Sequence, residues 1–199
     1  MPIVTLDDAD HAHPLADALL AGGVSCVEVT LRTPAGIRAI ERLAGRDDLL
    51  VGAGTVLNAA HVDLAADAGA AFVVSPGLGL DVLARAGERG LAVLPGVATP
   101  SEVQAAVLHG LERVKLFPAG VIGGLGLIEA LAGPFPEVSF MPSGGVSAAN
   151  LGAYLAHPAV FSAGCSWIAT RSDIADGRFD RIRSLAREAA SAVGANVLE

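Results

Sequence analysis

Short apolar runs, several of them rich in β-branched residues, recur along the chain and alternate with Ala-rich segments of helical spacing. The runs predict eight strands, over Ile3–Leu6, Cys26–Leu31, Leu49–Val51, Ala71–Ser75, Leu91–Leu94, Arg113–Phe117, Val138–Met141 and Val160–Ala163. The segments between and after them predict eight helices, over His13–Leu20, Ala35–Leu43, Ala59–Ala68, Leu80–Glu88, Ser101–Leu108, Gly126–Leu131, Ala148–Leu155 and Phe179–Ala192.

Glycine and proline punctuate this alternation. Pro34 and Pro100 each follow a threonine, which is typical of an N-cap followed by proline in the first helical turn. Glycines that suit left-handed C-caps follow four predicted helices, at Gly22-Gly23, Gly69, Gly90 and Gly110. Alternating strands and helices imply a parallel sheet with right-handed crossovers, and eight units close naturally into a barrel. We therefore predict an α/β fold, a single-domain (β/α)8 TIM barrel over residues 1–199; a doubly wound open sheet is the alternative.

Composition narrows the class of protein. Apolar residues make up 52% of the 199 residues, yet no uninterrupted apolar run reaches the about 18 residues of a membrane span. The formal charge of −8 argues against nucleic-acid or anionic-membrane partners, which need clustered Lys and Arg. The N-terminal segment lacks the features of a signal peptide, so we expect a cytoplasmic protein. Cys26 begins one strand and Cys165 follows another, so we expect reduced thiols at opposite barrel ends.

Two predicted strands carry charged residues within apolar runs. On the second strand, Glu28, Thr30 and Arg32 share one face, and the valines opposite must face the helices. On the sixth, Lys115 and Phe117 share a face near the strand's C-terminal end. If both faces line the barrel, Lys115 is desolvated near Glu28. Lowering a lysine pKa from about 10.4 to about 7 takes roughly 4 to 5 kcal/mol, for which desolvation and Arg32 are the sources. An ionised Glu28 opposes this, so its contact with Lys115 should be loose or water-mediated; a purely structural ion pair is the alternative.

Glycine-bearing loops follow several strands at the predicted C-terminal face. The Gly52–Thr55 loop lets a ligand approach the backbone and offers a hydroxyl. Ser75–Gly77 is a further tight turn. The loops after strands seven and eight, Pro142–Ser147 and Ala163–Trp167, lie where barrels commonly hold phosphate through backbone N–H groups. Plain tight turns are the alternative for each.

The five histidines lie in or beside predicted helices, without the spacing of a metal site on the barrel's inner wall (His11, His13, His61, His109 and His157). We therefore expect no catalytic metal and no cofactor. Cys165 lies near the predicted phosphate loops without a histidine close in sequence, and we interpret it as a packing residue.

Taken together, these segments resemble the 2-keto-3-deoxy-6-phosphogluconate (KDPG) and 4-hydroxy-2-oxoglutarate (KHG) aldolase family nearly end to end. The shared segments are Gly22-Gly23, Glu28–Thr33, Val51–Val56, Ser75–Gly77, Lys115–Ala119, Gly133–Phe135, Gly144-Gly145 and Ser166-Trp167. The resemblance implies a class I aldolase on a (β/α)8 barrel, a homotrimer, that cleaves KDPG to pyruvate and D-glyceraldehyde 3-phosphate in the Entner–Doudoroff pathway.

The resemblance also implies the role of each site residue. Lys115 would form the Schiff base, and Glu28 would be the general acid and base, acting partly through a water. The other residues would bind substrate: Arg32 and Thr55 the pyruvyl carboxylate, Gly144, Gly145 and Ser166 the phosphate, with Phe117 and Pro76 shaping the pocket.

The chain departs from the family pattern at three places. It lacks most of the helix that precedes strand one and plugs the barrel bottom, which should affect stability more than chemistry. Cys165 stands where glycine is expected, and phosphate affinity would fall if that position required a glycine-only conformation. Ser143 replaces a threonine. The alternatives are a KHG aldolase or oxaloacetate decarboxylase, an aldolase for the galactonate analogue, a barrel isomerase or synthase without an imine, and a non-catalytic phosphate-binding barrel.

Overall fold

The computed structural model describes residues 1–194 and confirms the predicted alternation of strands and helices. The strands are β1 Ile3–Val4, β2 Cys26–Thr30, β3 Leu50–Gly54, β4 Phe72–Val74, β5 Ala92–Leu94, β6 Gly96–Val97, β7 Arg113–Leu116 and β8 Ser139–Pro142. The helices are α1 Ala12–Ala21, α2 Ala35–Leu43, α3 Ala59–Asp67, α4 Leu80–Glu88, α5 Pro100–Leu108, α6 Gly124–Ala132, α7 Ala148–Leu155, α8 Arg171–Ala175 and α9 Phe179–Gly194. The short helix α8 and a 3-10 turn over Ala9–His11 were not predicted.

All strands pair in parallel, and together they form a (β/α)8 barrel. β5 and β6 occupy a single barrel position, interrupted at Pro95, whose carbonyl accepts a hydrogen bond from the Lys115 N–H at 2.8 Å. The interruption arises because proline has no N–H to donate to a ladder. This bond joins the sheet β1–β5 to the sheet β6–β8.

The eighth barrel position is a series of isolated bridges, where the sequence predicts a continuous strand over Val160–Ala163. Val160 pairs with Phe140, Gly164 with Ser143, and Cys165 with Pro2. The Ile3 N–H also donates to the Cys165 carbonyl at 3.3 Å. The last segment therefore lies between β8 and β1 and closes the barrel two residues later than the sequence indicates.

Alternation on β2 divides its side chains between the two sides of the barrel wall, as predicted. Val27 and Val29 are fully buried in the hydrophobic core between sheet and helices. Each buried valine of this kind contributes about 1.5 kcal/mol or more. Glu28 and Thr30 are equally buried but on the opposite face, where the Thr30 hydroxyl bonds that of Thr5 at 2.8 Å.

The predicted helix C-caps at the glycines are correct, and so is one of the two predicted N-caps that precede a proline. Gly23, Gly69, Gly90 and Gly110 all adopt positive φ after their helices. Thr99 caps α5 in a capping box with Glu102, and Pro100 begins the helix. At α2 the prediction of a threonine cap is wrong, because the Thr33 hydroxyl instead donates to the Leu6 carbonyl, and Pro34 is the N-cap residue.

Candidate active site

The centre of the site is a buried contact between Lys115 and Glu28. Lys115 is the third residue of β7, and Glu28 is the third of β2. The Lys115 Nζ lies 3.4 Å from both Oε1 and Oε2 of Glu28, and the two side chains are 7% and 1% exposed. Charge-assisted N–H···O bonds are usually about 2.7–2.9 Å long. The contact is therefore loose, as the sequence predicts.

Burial works against the charge on both groups. Desolvation lowers the pKa of the Lys115 amine, Glu28 opposes that shift, and the Arg32 charge adds to it. Desolvation likewise raises the pKa of the Glu28 carboxyl, against the pull of Lys115 and, more weakly, of Arg32. These are the directions that a nucleophilic amine and a proton-transferring carboxyl require.

Arg32 and Thr55 lie together beyond the ends of β2 and β3. The Arg32 Nε donates to the Thr55 Oγ1 at 3.1 Å. Thr55 has a φ of 59°, and among the described residues it is the one non-glycine residue with a positive φ. A β-branched residue is strained in this conformation, which here turns the hydroxyl toward the guanidinium. None of the ion pairs among residues 1–194 includes Arg32, so its terminal nitrogens are available to an incoming carboxylate.

Phe117 lies close to Lys115, and Pro76 lies close to a strand neighbour of Lys115. The Lys115 Nζ lies 5.5 Å from the centroid of the Phe117 ring. Pro76 approaches through Gly96, the register partner of Lys115 on β6, because a Cβ on Gly96 would lie 2.1 Å from the Pro76 carbonyl oxygen. The loop after β4 therefore packs against Gly96, on the strand next to the one that carries Lys115.

Sequence reasoning missed two neighbours of the lysine. Gly96 follows Pro95, and a Pro-Gly pair by itself indicates only a turn. Met141 is buried and pairs with Lys115 in the β7–β8 register. The period-two alternation on β8 could have predicted its position. Both are the register partners of Lys115 on the two neighbouring strands.

The loops after β8 and after the eighth barrel position meet at the C-terminal face. Ser143 pairs with Gly164, so Gly144, Gly145 and Ser166 follow at neighbouring positions. Gly144 and Gly145 have φ 80° and 90°, a conformation that glycine adopts at no steric cost. None of the hydrogen bonds among the described residues uses the N–H groups of these three residues.

A neighbouring turn holds one of these N–H groups in place. The Gly120 N–H donates to the Gly144 carbonyl at 2.7 Å. Because N–H and C=O point in opposite directions in a trans peptide, the Gly145 N–H is directed away from Gly120. Unengaged N–H groups in such a turn form an anion-binding arrangement.

Cys165 does not disturb this arrangement. It is absent from the described residues with positive φ, and its N–H donates to the Met1 carbonyl at 2.9 Å as part of barrel closure. Its side chain is buried, which raises the pKa of the thiol. The concern that this position needs glycine is therefore unfounded.

The two cysteines are not at opposite ends of the barrel, so that part of the sequence interpretation is wrong. Both thiols are free, and both border one cavity of about 350 Å³. The reason is the register: Cys165 pairs with Pro2, whose carbonyl accepts from the Glu28 N–H two residues beyond Cys26.

Within residues 1–194, no three His, Cys, Asp or Glu side chains lie close enough to hold a metal ion. None of the described helices combines the length and the apolar character needed to cross a membrane.

Comparison with known proteins places this geometry in a family. A family model described as KDPG and KHG aldolase matches residues 1–185. The chain belongs to this aldolase family. A Treponema pallidum member named 2-dehydro-3-deoxy-phosphogluconate aldolase is 41% identical over 195 residues, 98% of this chain and 93% of the relative. The Escherichia coli K12 member named KHG/KDPG aldolase is 43% identical over 190 residues, 95% of this chain and 89% of the relative.

Solved structures superpose along nearly the whole of this chain, and two of them are named as KDPG aldolases. The KDPG aldolase of Legionella pneumophila, with pyruvate captured at low pH as a covalent carbinolamine, is 37% identical with a TM-score of 0.90, covering 94% of this chain and 91% of that one. The Zymomonas mobilis ZM4 enzyme with 3-phosphoglycerate is 41% identical with a TM-score of 0.88, covering 96% and 90%. A porous protein cage designed by fusing symmetric oligomeric domains is 27% identical with a TM-score of 0.84, covering 98% and 72%.

Proposed function

We propose that the chain is a class I aldolase that forms an imine on Lys115 and reversibly cleaves 2-dehydro-3-deoxy-6-phosphogluconate to pyruvate and D-glyceraldehyde 3-phosphate. The observation that carries the proposal is the Lys115 Nζ 3.4 Å from both oxygens of a buried Glu28. An amine and an acid that meet in a dry barrel mouth supply the nucleophile and the proton carrier that this chemistry needs.

The reaction begins with the neutral Lys115 amine. The Nζ adds to the C2 carbonyl, and loss of water from the carbinolamine leaves a protonated imine. The Glu28 carboxylate takes the proton of the C4 hydroxyl, the C3–C4 bond breaks, and its electron pair moves into the imine to give an enamine. The aldehyde leaves, the enamine takes a proton at C3 from the Glu28 acid, and water hydrolyses the imine to free pyruvate and the amine.

Arg32 and Thr55 would hold the substrate carboxylate. Among residues 1–194 the terminal nitrogens of the guanidinium have no partner, and Thr55 holds its Nε, so two parallel hydrogen bonds to a carboxylate remain possible. Such a grip places C2 at the amine before reaction, and orientation of this kind accounts for several kcal/mol of a barrier.

The phosphate would occupy the turn of Gly144, Gly145 and Ser166. The Zymomonas mobilis relative is a complex with 3-phosphoglycerate, and the unengaged N–H groups of these three residues suit a phosphate. Binding energy from this remote group serves to position the reacting carbons.

Trapping of the imine tests the proposal. Incubation with pyruvate and borohydride should add a reduced pyruvyl group to the peptide that contains Lys115. The mapping is unambiguous because twelve of the thirteen basic residues are arginine and Lys115 is the remaining one. The terminal amine gives a separate peptide. An active protein that stays unmodified at Lys115 would instead favour a barrel isomerase or synthase.

Dependence on the substrate phosphate tests the substrate assignment. We expect kcat/KM for the phosphorylated six-carbon acid to exceed that for 4-hydroxy-2-oxoglutarate, because the latter leaves the N–H groups of the phosphate turn empty. Steady-state kinetics with both substrates makes the comparison, and Gly145→Ala should lower only the former value. Equal turnover of both would identify a KHG aldolase.

We also propose that residues 1–199 form one domain and that the protein is a cytoplasmic homotrimer. The free thiols of Cys26 and Cys165 suit a reducing compartment. Leu57, Leu64 and Leu80 are 50–55% exposed on the α3 and α4 side of the barrel, and exposed apolar clusters are typical of subunit contacts. The related cage is built from symmetric oligomeric domains. Light scattering that gave the mass of a single chain would contradict the trimer.

A further inference from the structure

We propose that Gly54 is a positioning residue for Glu28: its missing side chain leaves the space in which the Glu28 carboxylate is held against Lys115. The role in catalysis rests on the proposed aldolase function, whereas the contact itself can be tested without it.

The register of β2 and β3 brings the two residues together. Glu28 pairs with Gly52, and Thr30 pairs with Gly54, so the Glu28 side chain extends along the sheet toward the C-terminal end of the barrel. A Cβ on Gly54 would lie 2.2 Å from the Glu28 Oε1, 2.5 Å from its Cγ and 2.7 Å from its Cδ. The carboxyl group of Glu28 therefore occupies the place of a side chain at position 54.

The backbone at Gly54 does not itself require glycine. Gly54 is absent from the described glycines with positive φ, and the three nearest atoms that its Cβ would meet all belong to Glu28. Sequence reasoning placed Gly52 and Gly54 in a loop that a ligand approaches, whereas both lie on β3. At Gly54 the open space is already filled by the acid, which gives this glycine a different purpose.

Any side chain at position 54 must displace the Glu28 carboxylate. The far end of a glutamate is flexible, so the acid moves while the strands stay in place. Relief of a 2.2 Å approach to an ordinary contact of about 3.5 Å needs a shift of more than 1 Å. The contact with Lys115 is already long at 3.4 Å, and a misplacement of about 1 Å can cost about 100-fold in rate.

The charges that face Glu28 predict a signature in the pH profile. They are Lys115 from β7, Arg32 from the end of β2 and the Met1 ammonium. Glu28 holds the pKa of Lys115 up, and Lys115 holds that of Glu28 down. Moving the carboxylate away should therefore lower the pKa of Lys115 and raise that of Glu28. Imine formation, which needs the free amine, should then begin at lower pH, while C–C cleavage, which needs the carboxylate, should begin at higher pH.

The experiment compares Gly54→Ala with Gly52→Ala. Gly52 lies on the same strand and face, but its Cβ would meet the Phe72 ring at 2.2 Å instead of Glu28. Gly54→Ala should lower kcat about 100-fold and change KM by no more than a few-fold. The pH at which imine formation begins should fall, and the pH at which C–C cleavage begins should rise. Gly52→Ala should keep the pH dependence of both steps as in the parent protein. A Gly54→Ala enzyme with parental kcat and pH dependence would overturn the proposal.

A double-mutant cycle shows whether Gly54 acts through Glu28. In the Glu28→Gln background, Gly54→Ala should change kcat no further, because the group that it displaces no longer transfers protons. An additive loss in that background would mean that the glycine acts on the barrel and not on the acid, and the proposal would be wrong.

A second double-mutant cycle, measured by thermal unfolding, tests the proposal if the Gly54→Ala protein does not fold. In the Glu28→Ala background there is no carboxyl group to displace, so Gly54→Ala should leave the melting temperature nearly unchanged. If the Glu28→Ala/Gly54→Ala protein also fails to fold, the strain lies in the backbone and the contact does not explain the glycine. A melting temperature can be measured without turnover, so this cycle tests the contact even if the protein is not an aldolase. The pyruvate trap on the parent protein tests the aldolase assignment separately.

Discussion

Replacement of Lys115 by alanine should abolish aldol cleavage while the barrel stays folded. No other lysine exists in the chain, so no other side chain can take over imine formation, and removal of a covalent nucleophile costs on the order of 10⁵-fold, or roughly 7 kcal/mol. Coupled detection of the released pyruvate measures the loss. Pyruvate and borohydride should then leave no adduct on the peptide that spans residues 113–119.

Lys115→Met is the matched control for folding, since it keeps the length of the side chain without the amine. Burial lowers the pKa of Lys115 in the folded protein below 10.5. Folding therefore favours the neutral amine, and the buried ammonium lowers the stability of the fold, by the full amount at pH values below the lowered pKa. Lys115→Met should unfold at a temperature no lower than the parent. Residual turnover within about 100-fold of the parent in either variant would rule out the imine on Lys115.

Glu28→Gln should lower kcat by about two to four orders of magnitude, the usual contribution of a positioned acid and base. Glutamine keeps the shape of the side chain in the space beside Gly54, so the loss reports the missing proton transfer. Imine formation should survive, because Lys115 loses only a partner that raises its pKa. Single-turnover measurements of the trap and of cleavage separate the two steps.

The pH dependence of Glu28→Gln provides the check on this role. Burial raises the pKa of Glu28 above 4.5, so the parent should lose cleavage as the pH falls through that raised value. The variant should lack this acidic limb, and Thr5→Val, which changes only a hydroxyl elsewhere on the inner wall, should retain it. Near-parental kcat in Glu28→Gln would show that another group transfers the proton.

Much of the fold follows from local pattern. Strands such as Cys26–Thr30 and helices such as Ala35–Leu43 have periodicities that one window of sequence displays. The eighth barrel position is the exception, because Val160, Gly164 and Cys165 pair singly, with Phe140, Ser143 and Pro2 respectively. Single bridges produce no period-two run, and the pairing of Cys165 with Pro2 joins distant parts of the chain that no single window of sequence contains.

The site residues were predictable where strand alternation and family resemblance agree. They were not predictable where a residue's function depends on the space left by a missing side chain. Alternation on β2 and β7 places Glu28 and Lys115 on inner faces, and closure of the barrel brings them together. The functions of Gly54 and Gly96 depend on what a missing Cβ would touch, which is set by partners on neighbouring strands and loops. Thr33 shows the same limit, since its hydroxyl binds Leu6 instead of the adjacent helix end.

Closure of the barrel by its first and last segments has a consequence for biosynthesis. While the ribosome is still adding residues before 160, β1 has only β2 as a neighbour, and the far edge of β8 is bare. Both are unpaired strand edges, which invite association with other nascent chains. Closure spans more than 160 residues, from Ile3 to Cys165, so it belongs late in folding. The unpaired edges of β1 and β8 therefore persist until the segment that contains Cys165 has been translated.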